Sequence, residues 1–131
     1  MSGKRGAGRQ TGAASLEAVL VFPVLLLLIM FVIQVALWYH AAGLATAAAQ
    51  DGARAARAQG ATAANGISRA NQMLDETGRT ILVGRQVTAT RRAEVTRVEV
   101  RGHCIELVPF LSLPVHAVAE STTEQFQGRL P

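Results

Sequence analysis

The sequence predicts a membrane-anchored α+β protein: a long N-terminal transmembrane helix that extends outward, then a short helix and a small antiparallel β-sheet. Three observations carry this expectation. Ala18 to Ile33 is an unbroken apolar run, AVLVFPVLLLLIMFVI. Residues 41–70 hold 14 Ala, a composition that favours helix. Beyond Ile81, apolar and polar residues alternate with the period of half-buried strands.

The apolar run is broken once, by Gln34, and resumes as Val35-Ala36-Leu37-Trp38-Tyr39. Some 22 residues at 1.5 Å each give about 33 Å of helix, enough to cross a hydrocarbon core of about 30 Å. Trp38 and Tyr39 fall where an interfacial aromatic belt belongs, and Pro23 predicts a mild kink. Lys4, Arg5 and Arg9 precede the run with no acid among residues 1–12. The positive-inside rule therefore places the N-terminus in the cytoplasm and the C-terminal part outside a cytoplasmic membrane crossed once.

The chain has 131 residues, of which 50% are hydrophobic, 17% charged and 5% aromatic, with a formal net charge of +4. Apart from the membrane-like stretch, about 80 residues remain for a folded core, which excludes a multi-domain enzyme. From Asp51 onward ten Arg are interspersed with eight Asp or Glu, and the aromatics there are Phe110 and Phe126. A nucleic-acid partner is excluded on that pattern, because it calls for a basic stripe with interleaved aromatics.

Between the basic tail and the apolar helix lies Thr11-Gly12-Ala13-Ala14-Ser15-Leu16-Glu17. Gly12 offers an unhindered backbone where a peptidase could bind an extended chain. Glu17 is an ionisable group at the edge of the span, by default a functional position. A plain reading stands beside these. An acid in a helix's first turn gains ~0.3–1 kcal/mol from the macrodipole, and a glycine in a short tail needs no explanation.

Gly12, with Glu17 as the fifth residue after it and a long apolar helix following, resembles the prepilin motif of type IV pilins. More closely, ASLEAVLVFPVLLLLI resembles the N-terminal segment of TadE-like pilus assembly proteins, minor pseudopilins of tight-adherence (Flp) systems. Ala18 stands where that family often has Phe or Tyr. The resemblance implies a pilin-like fold and cleavage between Gly12 and Ala13 by a prepilin peptidase. It implies that Glu17 then aligns the subunit with its neighbour by pairing with the new N-terminal amine. The partners it implies are the lipid bilayer, the peptidase, the major pilin, sibling minor pseudopilins and the pilus assembly platform.

The expected organisation is a basic cytoplasmic leader over 1–12, a transmembrane and extended Ala-rich helix over 13–58, a small extracytoplasmic α+β head over 59–124, and a flexible tail over 125–131. On the Ala-rich helix, Asp51 and Arg54 are spaced to pair, with Arg57 extending the stripe. Its small side chains suit packing in a filament, or simply a solvated helix. Gly60 and Asn65-Gly66 read as punctuation. Ile67, Ala70, Met73 and Leu74 then recur at helical spacing, ending before Gly78.

In the strand region, Ile81, Val83, Val87 and Ala89 alternate, with Arg85 intruding on the buried phase. Val95, Val98 and Val100 change phase, which predicts a bulge near Thr96-Arg97. Leu113, Val115, Ala117 and Ala119 alternate again. Arg91-Arg92 and Gly102-His103 read as turn or edge positions, giving a sheet of three or four strands. The apolar segment Val108–Leu113 is expected to cap the core, with a partner-contact loop or a touch on the membrane surface as the other uses.

Catalytic chemistry is not legible. Cys104 reads as a buried strand thiol, and His103, Cys104 and His116 match no zinc spacing. His40 reads as an interfacial residue, and no cofactor is called for. Two alternatives remain at this point. Ala45-Thr46-Ala47 and Ala47-Ala48-Ala49 would suit a signal peptidase that releases a secreted binding module. Otherwise the chain is an uncut single-pass envelope protein.

Overall fold

The computed structural model describes residues 5–123, with side chains from Gly12 onward. Lys4 and the tail expected over 125–131 lie outside the described residues, and Arg5 and Arg9 fall within the first helix. Five elements follow in order: α1 (Arg5–Arg57), α2 (Ala63–Thr77), β1 (Leu82–Arg91), β2 (Val95–Cys104) and β3 (Pro114–Thr122). The strands form one antiparallel sheet in the order β1-β2-β3.

The 53-residue α1 is about 80 Å long at 1.5 Å per residue. Pro23 lies inside it without ending it. The chain leaves the helix after Arg57 and turns at Gly60, whose φ of 77° suits a residue without a Cβ. The C-terminal half of α1 carries the rest of the fold, the head, on one face. Gln34, Ala41, Ala45, Ala48, Ala49, Gly52, Ala53 and Ala56 are all buried, at intervals of three, four or seven that keep them on one stripe. The alanines thus serve the chain's own fold. Without long side chains, the helix accepts the sheet and α2 at close range.

α2 crosses α1 where Gly52 meets Gly66. A Cβ on Gly66 would stand 2.7 Å from the Ala56 Cβ and 2.8 Å from the Gly52 carbonyl oxygen. Asn65-Gly66, expected as punctuation, therefore lies inside the first turn of α2. The Thr62 backbone N–H donates to Asn65 Oδ1 at 2.7 Å, fixing the helix start. Further along, Ala70 and Leu74 are buried and Ile67 and Met73 half-buried. Leu74 is the largest fully buried side chain, a burial that contributes about 1.5–3 kcal/mol. Asp51 pairs across the two helices with Arg69 at 2.8 Å rather than with Arg54. Arg57 reaches β3, donating to Ser121 Oγ at 3.2 Å.

The sheet differs from expectation in phase. Its bulge lies in β1, between Val83 and Gln86, where Gly84 takes a φ of 60°. The extra residue puts Leu82 in the core and leaves Val83 outside, while Arg85, Val87 and Ala89 face inward as expected, Arg85 pairing with Asp75 of α2. β2 is regular, with Thr96, Val98, Val100, Gly102 and Cys104 all inward. The apparent phase change arises because Val95 is the exposed residue and Thr96 the buried one. Thr96 is satisfied by Thr123, Oγ1 to Oγ1 at 2.7 Å. Gly102-His103 is strand, not turn, and a Cβ on Gly102 would press on Leu82 at 3.0 Å. Arg92 does lie in the turn between β1 and β2, its N–H bonded to the Val95 carbonyl at 2.9 Å.

Candidate membrane and assembly site

From Gly12 to Ile29 every α1 side chain is exposed, on all sides of the helix. In the most apolar stretch of 18 residues, 6% are buried. Leu16, Val19, Leu20, Phe22, Leu26 and Val32 are each more than half exposed. A core helix of a water-soluble fold buries such a surface, and this fold leaves it bare. The helix is long and apolar enough to cross a membrane.

Toward the N-terminal end of this stretch, Gly12, Ala13 and Glu17 all lie within α1 and all are exposed. A Cβ at Gly12 would meet nothing within 4 Å, so packing within the chain does not require glycine there. Toward its C-terminal end, Tyr39 is 77% exposed while Trp38 is 39% exposed. Trp38 is turned toward the head, and its indole Nε1–H donates to the Pro114 carbonyl at 3.0 Å. His40 is exposed beside them.

The residue that the sequence reading passed over is Gln34. Its side chain is fully buried, although both neighbours in the apolar run are exposed. Its Nε2 donates to the Ile105 carbonyl at 3.0 Å and points to Cys104 Sγ at 3.7 Å. Its Oε1 accepts the N–H of Leu107 at 2.6 Å and of Val108 at 3.3 Å. One amide thus holds the connection between β2 and β3 against the helix. The available signal was a lone polar side chain in an apolar run.

The connection itself divides. Leu111 and Leu113 are half-buried, and Leu113 packs against the core as expected of a cap. Phe110 is fully exposed instead, with a φ of 66°.

On the outer face of the sheet, Glu99 lies among Arg101, His116 at 2.9 Å and Arg97 at 3.6 Å. The Arg101 guanidinium, with His116 adding to it, holds the Glu99 carboxyl below its ordinary range. Cys104 is a buried free thiol, pushed up by desolvation. His103 and Cys104 are adjacent in β2 and so face opposite sides of the sheet. Among the described residues, no group of three or more His, Cys, Asp or Glu is placed to hold a metal ion.

No curated protein and no solved structure matches the chain. The family whose model matches is one of pilus assembly, structural rather than known as enzymatic. Residues 12–54, the segment running from Gly12 through the bare apolar helix into the Ala-rich face, match the family model described as TadE-like protein, and over that segment the chain is TadE-like.

Proposed function

We propose that this protein is a minor pseudopilin of a Flp/type IVb-like pilus or a related secretion system. It is inserted across the cytoplasmic membrane with its N-terminus inside and its head outside. A prepilin peptidase cuts between Gly12 and Ala13, and the apolar helix then packs against the major pilin and sibling pseudopilins, in the fibre or on its assembly platform. The observation that carries this reading is the apolar helix left bare on every side within a TadE-like segment. Such a helix needs lipid or other helices around it, and a pilin exchanges the first for the second.

The junction residues fit these roles. Cutting requires the helical turn at Gly12 to open, and glycine lowers that cost by about 1 kcal/mol relative to alanine. Cleavage frees the Ala13 amine four residues from Glu17. A carboxylate at the hydrocarbon edge is costly alone and tolerable when paired, so the amine of a neighbouring subunit is its natural partner. Lys4, Arg5 and Arg9 hold the leader inside, and Trp38 with Tyr39 marks the outer interface.

The alternative of release by signal peptidase fits less well. A cut after Ala47 or Ala49 would remove Ala41 and Ala45 from the core, along with Gln34 and its four contacts. The N-terminal residue of the mature protein from its native host tests the proposal. A start at Ala13 is expected. An intact basic tail would leave an uncut envelope protein, and a start near Ala48 or Gln50 a secreted one.

A further inference from the structure

We infer that the connection between β2 and β3 is a second membrane contact, with the side chains of Leu107 to Leu111 immersed in the outer leaflet beside α1. The inference rests on the reading of α1 as a membrane span. It goes beyond that reading by assigning the head a lipid-facing site of its own.

Depth is set by the helix. A hydrocarbon layer of about 30 Å entered at Ala18, directly after Glu17, is left near Leu37. Gln34 lies four residues before Trp38, about 6 Å of helix and inside that layer. The Leu107 and Val108 N–H groups bonded to Gln34 Oε1 must lie at the same level, and the head therefore reaches below the interfacial aromatics.

The bonding suits a loop whose base is shielded from water beside the helix. Backbone polar groups in hydrocarbon need partners within the protein. Gln34 supplies them for the Ile105 carbonyl and for the N–H groups of Leu107 and Val108. The Leu111 N–H closes on the Val108 carbonyl at 3.2 Å, and Pro109 has no N–H to satisfy. The Phe110 N–H has no partner among the described residues, so the tip backbone lies at the interface, where water reaches it, and only its side chains enter the apolar layer.

The tip chemistry agrees. Phe110 is fully exposed and held at a φ of 66°, a conformation rare for a bulky residue, while Leu107 is 39% exposed. Gln34, which holds the base of the loop, lies between Ile33 and Val35, both exposed on α1, so lipid around the helix at that level lies beside the loop. The exposed Glu106 carboxylate belongs at headgroup level and limits how deep the loop sits.

Spin-label accessibility on the full chain in phosphatidylcholine vesicles tests this. In a Cys104→Ala background, labels are placed singly at Phe110→Cys, Leu27→Cys and Thr88→Cys, and collision with oxygen is compared with collision with a water-soluble nickel chelate. The expected result is an oxygen-rich, nickel-poor signal at 110, close to that at 27 and opposite to that at 88. Adding Gln34→Leu should shift the label at 110 toward the aqueous signal, because the loop loses its anchor. A lipid signal at 27 with an aqueous one at 110 would overturn the loop contact and leave the span intact. Shielding from both reagents at 110 would put a second protein chain there and overturn it too. An aqueous signal at 27 would overturn the span itself and the loop contact with it.

Discussion

The crossing of α1 and α2 allows two glycine-to-alanine changes to be ordered by sign. At Gly66 an added Cβ meets the Ala56 Cβ at 2.7 Å and the Gly52 carbonyl oxygen at 2.8 Å. Carbon atoms pack at about 3.5–4.0 Å, so the helices must part by about 1 Å at their closest point. The strain of such overpacking is about 1–3 kcal/mol, and the better helix propensity of alanine returns about 0.5–1 kcal/mol. A net loss of about 1–2 kcal/mol is expected for Gly66→Ala. Gly43 lies on the exposed side of α1, and a Cβ there meets nothing within 4 Å. For Gly43→Ala only the propensity term remains, and a gain of about 0.5–1 kcal/mol is expected. Hydrogen exchange of the α2 amides, measured on the full chain in detergent micelles, reads both. If Gly66→Ala protects those amides as well as Gly43→Ala does, the close crossing is not a feature of the fold.

Four further outcomes follow from the same geometry. The Glu99 carboxyl is held down mainly by Arg101 and then by His116, so its contribution to stability is present above its ordinary pKa of 4.5 and disappears as pH falls through the lowered folded value; Glu99→Gln should flatten the pH dependence of unfolding in that acid range. The Cys104 thiol, buried and pushed up, should resist iodoacetamide at pH 8 until the head is unfolded, as mass spectrometry of the alkylated protein would show. Gly12→Leu should block maturation and leave a longer chain in the membrane on an immunoblot, and normal maturation would remove the proposed cleavage site. Glu17→Ala should leave insertion and cleavage intact while lowering the amount recovered in sheared pili, and unchanged recovery would sink the alignment role.

What could be read from the sequence was local in origin. The apolar run, its flanking charges and the Gly12–Glu17 spacing are patterns within one helix, so the long bare helix was legible without tertiary knowledge. The short helix ending before Gly78 was legible for the same reason, from the spacing of Ile67, Ala70 and Leu74. What escaped depends on partners far along the chain. Gln34 looks like a flaw in the run until Leu107 and Val108 arrive beside it. Gly66 looks like a helix breaker until Gly52 needs its missing Cβ. Strand phase failed before Gly84: Arg85, Val87 and Ala89 keep the expected inward face, but the bulged residue puts the strand start in the opposite phase, so Leu82 is buried and Val83 is not.

The division of α1 constrains how such a subunit can pack, on the proposed reading. Beyond Gln34 one face of the helix is already taken by the chain's own sheet and α2, through Ala41, Ala45, Ala48 and Ala53. Neighbouring subunits can meet that half only on the opposite side, where Tyr39, Gly43, Thr46, Gln50 and Arg54 are exposed. From Leu16 to Ile29 no face is taken, and contacts can form all around the helix. The Ala-rich composition, which on its own suggests filament packing, therefore says little about the fibre: much of it is spent inside the monomer. Specific subunit contacts should concentrate in the apolar half, where Glu17 is the sole formal charge between Ala13 and Gln50 and hence the main electrostatic means of fixing register.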